Sequence, residues 1–154
     1  MYGGAVAVPG SGAVTVVLNG GALTVNSATT DGGALYLGAN SSVAASSVTF
    51  SGNTVDGDGG AMYLRASASA SLSGCTLVGN IAGGRGGAAG ITDTASLTIT
   101  GGSVASNAAV GGGAFYLSNA APAAPAVALS GVALANNSAH IDVDAARPAG
   151  YLHR

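Results

Sequence analysis

The sequence predicts an all-β chain, a parallel β-helix in which about five rungs of about 27 residues stack into a solenoid. Three observations predict it. Asparagine recurs at Asn26, Asn53, Asn80 and Asn107 in steps of 27 residues, and Asn137 follows after 30. Gly-Gly-Ala recurs in phase with it, at Gly3-Gly4-Ala5, Gly32-Gly33-Ala34, Gly59-Gly60-Ala61, Gly86-Gly87-Ala88 and Gly112-Gly113-Ala114. Between the two markers the apolar residues alternate, which is the strand period. Two markers sharing one period of this size indicate a repeat architecture before any residue propensity is weighed.

Within a rung, the positions ten and eight before each asparagine form one alternating pair. They are Val16/Leu18, Val43/Ala45, Ala70/Leu72, Leu97/Ile99 and Val127/Leu129. The positions five and three before it form a second pair, Gly21/Leu23, Val48/Phe50, Cys75/Leu77, Gly102/Val104 and Val132/Leu134. Each pair is one face of a strand, and the odd step from eight to five marks a bend. The Gly-Gly-Ala segment gives the third strand, with Val6/Val8, Leu35/Leu37, Met62/Leu64, Ala89/Ile91 and Phe115/Leu117 facing inward. Three short strands and three turns per rung are expected, with right-handed crossovers. Rungs about 4.8 Å apart make a column roughly 24 Å long, and like residues sit on like residues. Each Val or Leu buried this way contributes about 1.5–3 kcal/mol.

The rungs fall near 3–31, 32–58, 59–85, 86–111 and 112–139, with 140–154 a degenerate last rung or a frayed tail. The run Ala120-Ala121-Pro122-Ala123-Ala124-Pro125 inserts a surface loop into the fifth. Asn26, Asn53, Asn80, Asn107 and Asn137 are expected to form a ladder, each amide donating to the next along the stack. The double glycines suit a turn that requires positive φ or close backbone approach.

Composition excludes several classes. Charged residues make up 6% of the chain, too few for the basic face that neutralises nucleic-acid phosphates. No run of about 18 apolar residues is present, so no membrane span is expected. No signal peptide is visible, and a chain that opens inside a repeat reads as part of a longer protein. The lone Cys75 rules out an internal disulfide framework and aligns with Val48 and Val132, as a buried small residue would. The histidines, His140 and His153, both fall in the tail.

The repeats resemble a known family. Gly32-Gly33-Ala34-Leu35 and Phe50-Ser51-Gly52-Asn53 are similar to the paired GGA[ILV] and FxxN motifs of polymorphic outer membrane protein repeats. The glycine half matches in all five copies, while Leu23, Leu77, Val104 and Leu134 stand where the second motif has phenylalanine. The resemblance covers Gly3 to Asn137 and implies a right-handed, pectin-lyase-like β-helix in a secreted or cell-surface region. It also implies a scaffold or adhesion role, with a carbohydrate or a host or cell-surface partner.

Three candidate faces follow. Asp31 and Asp58 both precede Gly-Gly and stack one rung apart, with Asp56 nearby and Arg85 in the same place on the next rung. They form either a weak calcium or sugar site or a solvated turn column closed by an ion pair at Arg85. Otherwise no metal or cofactor is expected. Tyr36, Tyr63 and Tyr116 share an outward column that Gly90 interrupts. Such a column either packs on a sugar or partner, or reflects strand propensity and cross-rung stacking. Asn19, Ser46, Ser73, Thr100 and Ser130 form an uncharged column beside Ala22, Thr49, Thr76, Ser103 and Ala133, as a flat ice-binding face or simply a solvated sheet would.

The leading expectation is a non-catalytic repeat segment. A polysaccharide-binding or polysaccharide-degrading β-helix is second, and an ice-binding solenoid third. No dense cluster of acids with a Lys or Arg base marks a lyase groove. Exposed end rungs offer unpaired strand edges, so end-to-end self-association is expected as well.

Overall fold

The computed structural model describes residues 1–10, 12–119 and 124–139. It is all-β, with every pairing parallel and four sheets of five strands each. Successive strands of a sheet come from successive rungs, so the chain winds as a β-solenoid of about five turns. The first sheet contains Val6–Val8, Leu35–Leu37, Met62–Leu64, Ala89–Thr92 and Phe115–Ser118. The second contains Val14–Asn19, Ser41–Ser46, Ser69–Ser73, Ser96–Thr100 and Ala126–Ser130. The third contains Ala22–Thr24, Thr49–Ser51, Thr76–Val78, Ser103–Ala105 and Ala133–Ala135.

The registers match the columns read from the sequence. Val6, Leu35, Met62, Ala89 and Phe115 pair in series. So do Val16, Val43, Ala70, Leu97 and Val127, and Leu23, Phe50, Leu77, Val104 and Leu134. In the central rungs these side chains are fully buried, from Leu35 and Phe50 to Ile91 and Ile99. Cys75 lies among them, as expected of a small apolar residue.

The expectation of three strands per rung is corrected to four. The fourth sheet contains Ser27–Ala28, Thr54–Val55, Ile81–Arg85, Ala108–Gly111 and Ser138–Ala139, directly after each ladder asparagine. Its inner column is Ala28, Val55, Ala82 and Ala109, a small core separate from the main one. Alanine gives little periodic signal, and two-residue strands are too short to show alternation.

The Gly-Gly pair explains how this sheet is held so close. In the central rung Gly59 has φ +77°, a conformation that suits glycine, and turns the chain. A Cβ on Gly60 would lie 2.1 Å from the Gly87 carbonyl oxygen and 2.8 Å from the Ile81 nitrogen. The two glycines therefore meet both requirements, positive φ at the first and backbone contact at the second. The loop residues Ala120, Ala121, Pro122 and Ala123, the tail 140–154 and both histidines lie outside the described residues.

Candidate functional site

The asparagine ladder is the most completely bonded polar feature of the molecule. Asn53 Nδ2 donates to Asn80 Oδ1 at 2.8 Å, and the Asn53 backbone N–H donates to the same oxygen at 3.1 Å. The second Asn53 Nδ2 proton goes to the Leu23 carbonyl at 2.9 Å. Asn80 repeats the pattern onto Asn107 and the Phe50 carbonyl. Asn107 repeats it onto Asn137 and the Leu77 carbonyl, and Asn26 starts the series on Asn53. The oxygens of Asn53, Asn80, Asn107 and Asn137 thus each accept two bonds, and the amide nitrogens of Asn53, Asn80 and Asn107 each donate two, so these three central amides use both acceptor sites and both donors. Asn53, Asn80 and Asn107 are buried, which makes the ladder structural.

Aspartates also bond across rungs. Asp31 Oδ1 accepts the Asp58 backbone N–H at 3.1 Å, and Asp58 Oδ1 accepts the Arg85 backbone N–H at 2.7 Å. Asp93 Oδ2 accepts the Ala66 N–H at 3.2 Å. Burial pushes the Asp31 carboxyl above its usual range; the Asp58 N–H opposes this, the Asp58 charge adds to it, and Arg65 lowers it. Asp56 is exposed, and no three His, Cys, Asp or Glu side chains converge as metal ligands among the described residues.

The expected ion pair at Arg85 is replaced by a different contact. Arg85 meets Asp58 through its backbone, while its guanidinium lies 4.8 Å over the Tyr116 ring and Nη1 donates to Tyr116 Oη at 2.9 Å. The Asp58 carboxylate is turned into the turn column, and the aromatic face across the next rung gives the long Arg85 side chain an apolar surface.

The tyrosine column is real in register, since Ala7, Tyr36, Tyr63, Gly90 and Tyr116 pair in series. Its members differ in access. Tyr36 is only 3% exposed, covered by Tyr2 at 4.5 Å on one side and stacked on Tyr63 at 5.9 Å on the other. Tyr63 is half-buried, and a Cβ on Gly90 would lie 2.8 Å from its ring. The ring therefore fills the space Gly90 leaves, and its hydroxyl stands 3.4 Å from Thr92 Oγ1. Burial raises the Tyr63 hydroxyl above its usual value. Gly90 breaks the column by admitting its neighbour. Two partners escaped the sequence reading. Tyr2 precedes Gly3-Gly4, the place that Asp31, Asp58 and Arg85 take on later rungs, and nothing in the period assigned its ring to Tyr36 or the Arg85 side chain to Tyr116.

The outer face of the second sheet is uncharged and made of small residues. Ser46 Oγ donates to Asn19 Oδ1 at 3.0 Å, and Thr15 Oγ1 and Ser42 Oγ stand 3.0 Å apart. Rung-to-rung bonds therefore take up part of its polar capacity. The described surface holds no cleft or cavity. No helix is long and apolar enough to cross a membrane among the described residues. None of the family models, curated proteins or solved structures compared with the chain matches it.

Proposed function

We propose that the chain is a non-catalytic β-helical segment of a secreted or cell-surface protein, where it serves as a scaffold that carries adhesive surface. One observation carries this reading. Among the described residues, most side chains able to do chemistry are bonded into the stack, Asp56 excepted: the ladder amides to one another, Asp31, Asp58 and Asp93 to backbone N–H groups, and Arg85 to Tyr116. A general acid or base needs a free group aimed at a bound substrate. The resemblance to polymorphic outer membrane protein repeats supports the surface location.

A panel of neutral and acidic polysaccharides, incubated with the purified chain with and without calcium, tests the proposal. The scaffold reading expects no new reducing ends or unsaturated products in any incubation. Release of such fragments would overturn it.

Tyr63 and Tyr116, both half-buried and flanking Gly90, favour polysaccharide binding as the second reading. Aromatic faces of this kind stack on sugar rings. Retention on one polysaccharide that is lost in Tyr63→Ala and Tyr116→Ala would select it. Retention that depends on calcium and on Asp31 and Asp58 would select the cation site instead.

A further inference from the structure

We propose that Asn40 is a glycosylation site, its side-chain amide accepting a sugar from a donor activated through an anomeric phosphate. Asn40-Ser41-Ser42 has the asparagine-x-serine pattern that N-glycosyl transfer reads, with no proline in the middle. The inference rests on the secreted or cell-surface reading above, since such sugars stand on the surface turns of exported proteins.

The fold presents the amide. Asn40 is exposed in the turn between the first and second sheets, at φ 57°, a left-handed conformation that asparagine tolerates. The Ser41 N–H closes the turn on the Gly38 carbonyl at 3.4 Å, and the Ser41 hydroxyl, only 2% exposed, donates to the same oxygen. Ser67 Oγ donates to Asn40 Oδ1 at 2.9 Å and accepts the Asn40 backbone N–H at 3.0 Å. The amide is thus held by its oxygen, and its nitrogen meets no acceptor among the described residues. The central ladder amides differ, since each donates both of its protons.

The neighbouring rungs show what is particular to this one. Ser42, Ser69 and Ser96 share one column, so the hydroxyl two places on recurs in three successive rungs. The amide does not recur, because Ser67 and Thr94 stand where Asn40 does. The turn is rebuilt around it as well. Its left-handed residue is Asn40 here, but Ala66 and Asp93, one place earlier, in the next two rungs. A sugar at Asn40 would stand beside the uncharged outer face of the second sheet. In a chain with 6% charged residues and a mean hydropathy of +0.49, it would supply hydration that ionised side chains supply elsewhere.

In the transfer, Asn40 Nδ2 bonds to the anomeric carbon of the donor and the bond from that carbon to the phosphate oxygen breaks. The phosphate leaves with the electron pair, and the amide proton passes to a base of the transferase. A nucleotide sugar and a lipid-linked oligosaccharide share this chemistry and differ in what they deliver.

Intact mass and peptide mapping of the protein, isolated from fractions of the cells that make it, test this. The expected result is a secreted or surface fraction in which the Asn40 peptide carries a sugar. A single residue assigns the nucleotide donor, and a preassembled oligosaccharide assigns the lipid-linked one. Asn40→Gln should lose the modification completely. Ser42→Ala should lose it too while keeping the amide, and Ser42→Thr should retain it, a pattern that exposure of Asn40 alone would not produce. Thermal melts establish that each variant is folded. Surface protein with a bare Asn40 would overturn the site and leave the surface reading standing. Intracellular protein with a bare Asn40 would overturn both, and a sugar on intracellular protein would overturn the location alone. A sugar that persists in Asn40→Gln, or that maps only to the similar motif Asn136-Asn137-Ser138, would overturn the site.

Discussion

Asn80 Oδ1 accepts both the side-chain amide and the backbone N–H of Asn53, at 2.8 and 3.1 Å, inside a site with no solvent access. The side chain of one residue thus completes the backbone bonding of another 27 positions away. Removing it leaves two donors of Asn53 unpaired and takes from the Phe50 carbonyl and the Asn107 oxygen the bonds that Asn80 Nδ2 gave them, while the backbone N–H of residue 80 still serves that oxygen.

Asn80→Ala should therefore cost about 1–3 kcal/mol, the range for orphaned buried polar groups. Asn26→Ala should cost less, because Asn26 is only half-buried and heads the ladder. Denaturant melts of the two variants give the comparison. Equal midpoints for Asn80→Ala and the wild type would exclude the ladder as a source of stability.

Val25 occupies a left-handed turn at φ 55°, in the place where the next two rungs have Gly52 and Gly79. A β-branched residue is poorly suited to that conformation, and the side chain is exposed, so it gains little in return. Val25→Gly should stabilise the chain by about 1 kcal/mol, the left-handed penalty less the extra unfolded-state entropy of glycine. A higher denaturation midpoint at unchanged m-value is the expected readout.

Gly60→Ala tests the close approach of the fourth sheet. The new Cβ would lie 2.1 Å from the Gly87 oxygen, and both contacting atoms are backbone, so no side chain can move aside. Overpacking of this kind should cost about 3 kcal/mol or more. A variant that melts with the wild type would show that the rung spacing can expand.

The Asp31 carboxyl is held above its ordinary value, mainly by burial. The folded state therefore binds its proton more tightly than the unfolded chain does. The stability this contributes is fully present below the unfolded value and is lost as pH rises through the folded one. Asp31→Asn keeps an oxygen for the Asp58 N–H and removes the titration. It should flatten the fall in melting temperature from about pH 4 upward, where an unperturbed aspartate titrates, and leave the variant more stable than the wild type at neutral pH. A melting curve with the wild-type pH dependence would assign the buried titration elsewhere.

The 27-residue step of the asparagines and the alternation before each of them determined the fold class, the registers of three sheets, the inward columns and the ladder. They could do so because a repeat stacks each position on its own equivalent, and period in sequence becomes contact in space. Contacts outside that rule had to come from the tertiary structure. The fourth sheet was hidden because its inner residues are mostly alanine and its strands as short as two residues. The burial of Tyr36 depends on Tyr2, which no period relates to it, and the Arg85–Tyr116 contact depends on a side chain choosing between an aspartate and a ring. Spacing along a chain fixes which backbones lie side by side, whereas the direction of a long side chain is settled by local packing and solvation, which only the folded neighbours define.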